Sequence, residues 1–100
     1  MTHDAPPAFE SSLAPVAEVL GPPNDAYRLA VPLADTSVSV ALWGRAGGEN
    51  VCLRVYDDGT VMLVAERFSS ESHAFPADGA RGLTGAAEDA RAWLGWGTPA

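Results

Sequence analysis

RVYDDGTVML, residues 54–63, sets apolar Val55, Val61 and Leu63 in alternation with Arg54, Tyr56 and Met62 around Asp57-Asp58-Gly59. Period two on both sides of a turn is the pattern of a β-hairpin. Two loop lengths compete. A two-residue loop at Asp58-Gly59 pairs Tyr56 with Val61 and brings Arg54 onto the face of Val61 and Leu63. A three-residue loop, with Gly59 left-handed in a bulge, pairs Tyr56 with Thr60 and Val55 with Val61. It gathers Val51, Leu53, Val55, Val61, Leu63 and Ala65 on one face. The other face carries Cys52, Arg54, Tyr56, Thr60, Met62, Val64 and Glu66. A one-residue slip moves every side chain to the opposite face, so the hydrophobic pattern selects the longer loop.

Outward from the hairpin, the same period continues upstream. YRLAVPL (27–33) alternates Tyr27, Leu29, Val31 and Leu33 with Arg28, Ala30 and Pro32, and Pro32 marks an edge strand or the end of pairing. SVSVALW (37–43) places Val38, Val40 and Leu42 on one face and Ser37, Ser39, Ala41 and Trp43 on the other. The glycines of GRAGGEN (44–50) break that strand. SSESHAFPADGARG (69–82) reads as a polar loop anchored by Phe75.

Helices are expected at both ends. Phe9, Leu13, Val16 and Leu20 lie at steps of four, three and four, one face of a helix over about 12–20. Ser11 or Ser12 would cap it, Pro15 would sit in its first turn, and Gly21-Pro22-Pro23 would stop it. Residues 1–8 read as a flexible arm. TGAAEDARAWLGWG (84–97) has Thr84 as N-cap, Ala86, Ala90 and Trp93 as a stripe, Gly95 as the left-handed C′ residue and Trp96 as the C″ residue that packs back. The expected fold is one α+β domain over 9–100: a four-stranded antiparallel meander with both helices packed on one face.

One hundred residues suffice for one core without a staple. Thirteen acids oppose six bases, a formal charge of −7, and all six bases are arginine. Lysine-free composition beside abundant Ala, Gly, Pro and Val is expected of a GC-rich bacterial genome. Such an acidic domain repels phosphate backbones, so direct nucleic-acid binding is not expected. Lone Cys52 allows no intrachain disulfide. No stretch approaches about 18 apolar residues, so no membrane partner is expected, and MTHDAPPAFESS has no secretory pattern. The cytoplasm is the expected compartment.

Catalytic constellations do not assemble. His3 and His73 lie in polar segments, and the pair in ESH (71–73) is too few ligands for a metal. Cys52 has no base near it in sequence. Asp57 and Asp58 suit turn chemistry. GRAGGEN lacks the phosphate-loop lysine. No enzyme activity, cofactor or metal is therefore expected.

The tryptophans Trp43, Trp93 and Trp96 remain. Trp93 is expected in the core and Trp96 at the helix cap. If the helices cover the Val38–Val40–Leu42 face, then Trp43 joins Arg54, Tyr56 and Met62 on the uncovered face, and these are residue types that dominate binding hot spots. The expected function is a small acidic protein-binding module whose partner is another protein or a second copy. Two alternatives are a small-ligand domain or minor enzyme with a pocket between sheet and helix, and a nucleic-acid mimic that blocks a DNA-binding protein.

Overall fold

The computed structural model describes residues 7–32, 35–45, 47–67, 71–77 and 82–96. The order is α1 (Pro7–Leu20), β1 (Asp25–Val31), β2 (Thr36–Arg45), β3 (Glu49–Tyr56), β4 (Val61–Glu66), β5 (Ser72–Phe75) and α2 (Gly82–Leu94). The strands form one antiparallel sheet in sequence order, β1-β2-β3-β4-β5. The α+β class and the meander are as expected, but the sheet has five strands, not four. The fifth, Ser-His-Ala-Phe, pairs Leu63 with Phe75 and Glu66 with Ser72. Only Phe75 of its four residues is buried, so no apolar alternation announced it.

The central hairpin has the expected register. Val55 pairs with Val61, and Leu53 with Leu63. Tyr56 N–H donates to Thr60 O at 2.8 Å, and Gly59 N–H donates to Tyr56 O at 2.9 Å. Gly59 has φ +96°, which an L side chain rarely adopts. A Cβ there would meet nothing within 4 Å, so the cost of replacing it lies in the backbone. Gly59→Val is expected to lower stability by more than about 1 kcal/mol. Equal urea midpoints for the two proteins would mean that this turn is not built on a left-handed residue.

α1 starts five residues earlier than the expected position of about 12. Proline is favoured in the first helical turn because its missing N–H is one that has no intrahelical partner, so Pro7 opens the helix where an arm was expected. Residues 1–6 of that arm lie outside the described residues. Pro15 is consequently interior, where it removes the donor to Ser11 O. Neither serine caps the helix: Ser12 is buried mid-helix, and Ser11 Oγ donates back to Ala8 O at 3.2 Å. Phe9, Val16 and Val19 form the buried face.

α2 ends as its sequence dictates. Gly95 has φ +73°; its N–H donates to Ala92 O at 3.1 Å, and Trp96 N–H donates to Arg91 O at 3.0 Å. These two bonds make a Schellman cap. Trp96 folds back into the core, with Nε1 donating to Glu49 Oε1 at 3.0 Å and the Arg45 guanidinium 4.3 Å from its ring.

Both helices pack on one sheet face. Small residues make this possible: Ala86, Ala87 and Ala90 of α2 meet a layer that includes Ala65 of β4, while Ala41 and Ser39 lie at the same level of the sheet. Trp93 is half-buried rather than central. It lies over β5, 5.8 Å from His73 and 6.1 Å from Phe75 between ring centroids. Arg67 stacks on it at 3.7 Å and donates to its carbonyl oxygen. The expected core tryptophan is instead a bracket that holds the edge strand to the helix.

Candidate functional site

Trp43 is not on the uncovered face. It is 2% exposed in the core beneath the helices, and its Nε1 donates to Gly21 O at 2.8 Å. The sheet register explains why. Ser39 pairs with Val55, Ala41 with Leu53 and Trp43 with Val51, so these β2 residues share the helix-side face. Val38, Val40 and Leu42, the more hydrophobic set by side chain alone, face the other way. Small Ser39 and Ala41 leave room for helix backbone, whereas a Val-Val-Leu row would hold it off. Ser39 is buried with its hydroxyl accepting from Arg28 at 2.7 Å, and Arg28 is paired to Asp57 at 3.0 Å.

Among the described residues no helix lies on the opposite face. Cross-strand partners form rows across it. One is Tyr27, Val40, Arg54 and Met62. A second is Leu29, Val38 and Tyr56, and a third is Asp25, Leu42, Cys52 and Val64. A fourth holds Gly44, Asn50 and Glu66. Of the expected binding residues, Arg54, Tyr56 and Met62 thus share this face and Trp43 does not. Sequence reading placed Cys52 on this face but missed Tyr27, Leu29, Val38 and Val40, because their common side follows from the pairing of β1, β2 and β3.

Val38, Val40 and Cys52 are buried here without help from a described helix, with partly buried Val31, Leu42 and Tyr56 packed against them. Around them Leu29 is 51% exposed, Tyr27 39% and Met62 37%. The result is an open groove of about 580 Å³ over β1–β3. The alternative of a ligand domain or minor enzyme placed a pocket between sheet and helix; among the described residues that layer is packed core.

Arg54 lies at the groove wall, half-buried between Val40 and Met62. Hydrogen bonding to Cys52, with a smaller contribution from Tyr56, holds its guanidinium above the ordinary arginine value against the opposing pull of partial burial. It is a permanent cation. Among the described residues no carboxylate reaches it to form an ion pair, and Glu66 on the same face is likewise without one. At the hairpin tip, backbone and side-chain hydrogen bonding from Thr60 lowers the Asp58 carboxyl below its usual value, a consequence of the turn.

Three or more metal-ligating side chains do not converge anywhere among the described residues. No described helix is long and apolar enough to cross a membrane. No family model, curated protein or solved structure matches the chain.

Proposed function

We propose that this chain is a non-catalytic protein-binding module that docks through the helix-free face of its sheet. The observation that carries the reading is the apolar rim of Tyr27, Leu29 and Met62, exposed around buried Val38, Val40 and Cys52, beside Arg54, which no described carboxylate pairs. An exposed apolar patch with polar surroundings is the signature of an interaction site. Tyr and Arg are the types that anchor one, since each offers a large contact area and a directional polar group. A nucleic-acid mimic fits less well, because this face sets carboxylates beside an arginine and alongside apolar rows rather than in a phosphate-like series.

The groove also admits a small organic anion, its carboxylate on Arg54 and its apolar body on Val38 and Val40. The open shape favours a broad partner surface over an enclosed small molecule.

Site-specific photocrosslinking tests the docking reading. A photoreactive phenylalanine analogue is placed at Met62, and in a second variant at Ala92 on the exposed side of α2. Protein adducts are expected from position 62 and not from 92. Adducts confined to position 92, or none from 62, would overturn the reading.

A further inference from the structure

We propose that the helix-free face is closed by a second copy of this chain, the two sheets stacked about a two-fold axis that sets Arg54 of each copy against Glu66 of the other. The inference deepens the docking reading above and rests on it. Both helices pack on the other side of the sheet, so among the described residues no element of the chain covers this face. The choice of occupant follows from its charges. Arg54 lies in the row of Val40 and Met62, and Glu66 pairs with Asn50, four residues along β3. At about 3.3 Å per residue they stand ~13 Å apart along the strand direction. The Cys52–Val64 row lies midway between them.

Such a pattern is its own complement. A two-fold axis running between the faces along the Cys52–Val64 row exchanges the two ends. It brings each arginine over the partner's Asn50, one strand spacing (~4.8 Å) from the Glu66 paired with it and within side-chain reach, so the pair forms twice, as an isologous contact requires. Stacked sheets lie ~10 Å apart, a gap that an extended arginine and a glutamate together bridge. A uniformly acidic partner would meet Glu66 and Asp25, and a uniformly basic one would meet Arg54. A copy of the same face satisfies both signs while it buries Tyr27, Leu29 and Met62.

Size and charge set how strong this contact is. Five strands at ~4.8 Å spacing and about six residues of length give a footprint of ~24 by ~20 Å, small for a stable dimer, so association is expected to depend on concentration. Each copy carries −7. Raising ionic strength to ~0.15 M is expected to tighten the dimer, because the net repulsion is long-range and screened beyond ~8 Å while the close pairs persist. Asp25 lies in the row that the axis follows and meets its own copy at the rim, so Asp25→Asn is expected to tighten it further.

Light scattering and sedimentation of the purified chain across a concentration series provide the test, with circular dichroism to verify that each variant is folded. Wild type is expected to pass from monomer to dimer. Arg54→Glu and Glu66→Arg are each expected to weaken association at least ~100-fold, since each reversal opposes like charges at two places. The double variant R54E/E66R is expected to recover it. A wild type that stays monomeric throughout, or a folded double variant no better than the singles, would overturn the inference. The docking reading is judged separately: a monomeric wild type that still yields adducts from position 62 to a different protein retains that reading and loses the dimer.

Discussion

Trp43→Ala is expected to lower the free energy of unfolding by about 3–5 kcal/mol, the range for a large aromatic truncated inside a core. The indole is 2% exposed and shares its layer with Val51 and the helices. Its removal leaves a cavity that the sheet backbone cannot collapse to fill. A second loss accompanies the first. Trp43 Nε1 donates to Gly21 O at the end of α1, and an abandoned carbonyl costs about 1 kcal/mol more if water cannot reach it. Because domains of this size are stable by only ~5–15 kcal/mol, the alanine variant is expected to lose about a third or more of its stability and to unfold at a much lower urea concentration than wild type. Trp43→Phe separates the two contributions: it keeps most of the volume, loses the hydrogen bond, and should remain folded with an intermediate urea midpoint. A Trp43→Ala protein as stable as wild type would put the indole on the open face and would invert the whole assignment of β2.

The second large effect comes from adjacent residues on opposite faces. Leu63→Ala is expected to cost about 2–5 kcal/mol, whereas Met62→Ala is expected to cost under about 1 kcal/mol. Leu63 is 1% exposed, paired with Leu53 on one side and Phe75 on the other. Met62 is paired with Arg54 and faces the groove side. Both substitutions remove side chains of similar size from neighbouring points on one strand, so β propensity and chain position are nearly held constant. The difference in chemical-denaturation free energy therefore reports facing alone. It must be measured in the dilute, monomeric range, where Met62 has no partner to lose. Equal losses would mean that the helix-free face is a second core within the monomer, and the docking proposal would fail with it.

Facing matters this much because the open side is not polar. Val38, Val40 and Cys52 are nearly as buried as residues under the helices, yet among the described residues they are covered only by neighbouring side chains of the same face. A sheet built this way has one side finished by its own helices and one side finished only in part. That asymmetry connects the packing to the proposed function.

Much of this arrangement was legible in the residue order. The hairpin register followed from Val55, Val61 and Leu63, because side chains alternate with period two and of the two loops that Gly59 allows only the three-residue one puts them on one face. The end of α2 followed from Gly95 and Trp96, a cap made of contacts within six residues. The facing of Arg54, Tyr56 and Met62 was legible for the same local reason. What lay outside local reach was decided by packing. β5 is held by pairing to Leu63 and by the Trp93–His73–Phe75 cluster, not by its own four residues. The start of α1 was masked by prolines that suit a helix opening as well as an arm. The facing of β2 was undetermined because both of its sides are apolar enough to be buried. Hydrophobicity alone points to Val38, Val40 and Leu42. The tertiary structure chose Ser39, Ala41 and Trp43, because a layer beneath two helices must fit their backbones as well as exclude water, and two small residues with one large plug meet that volume.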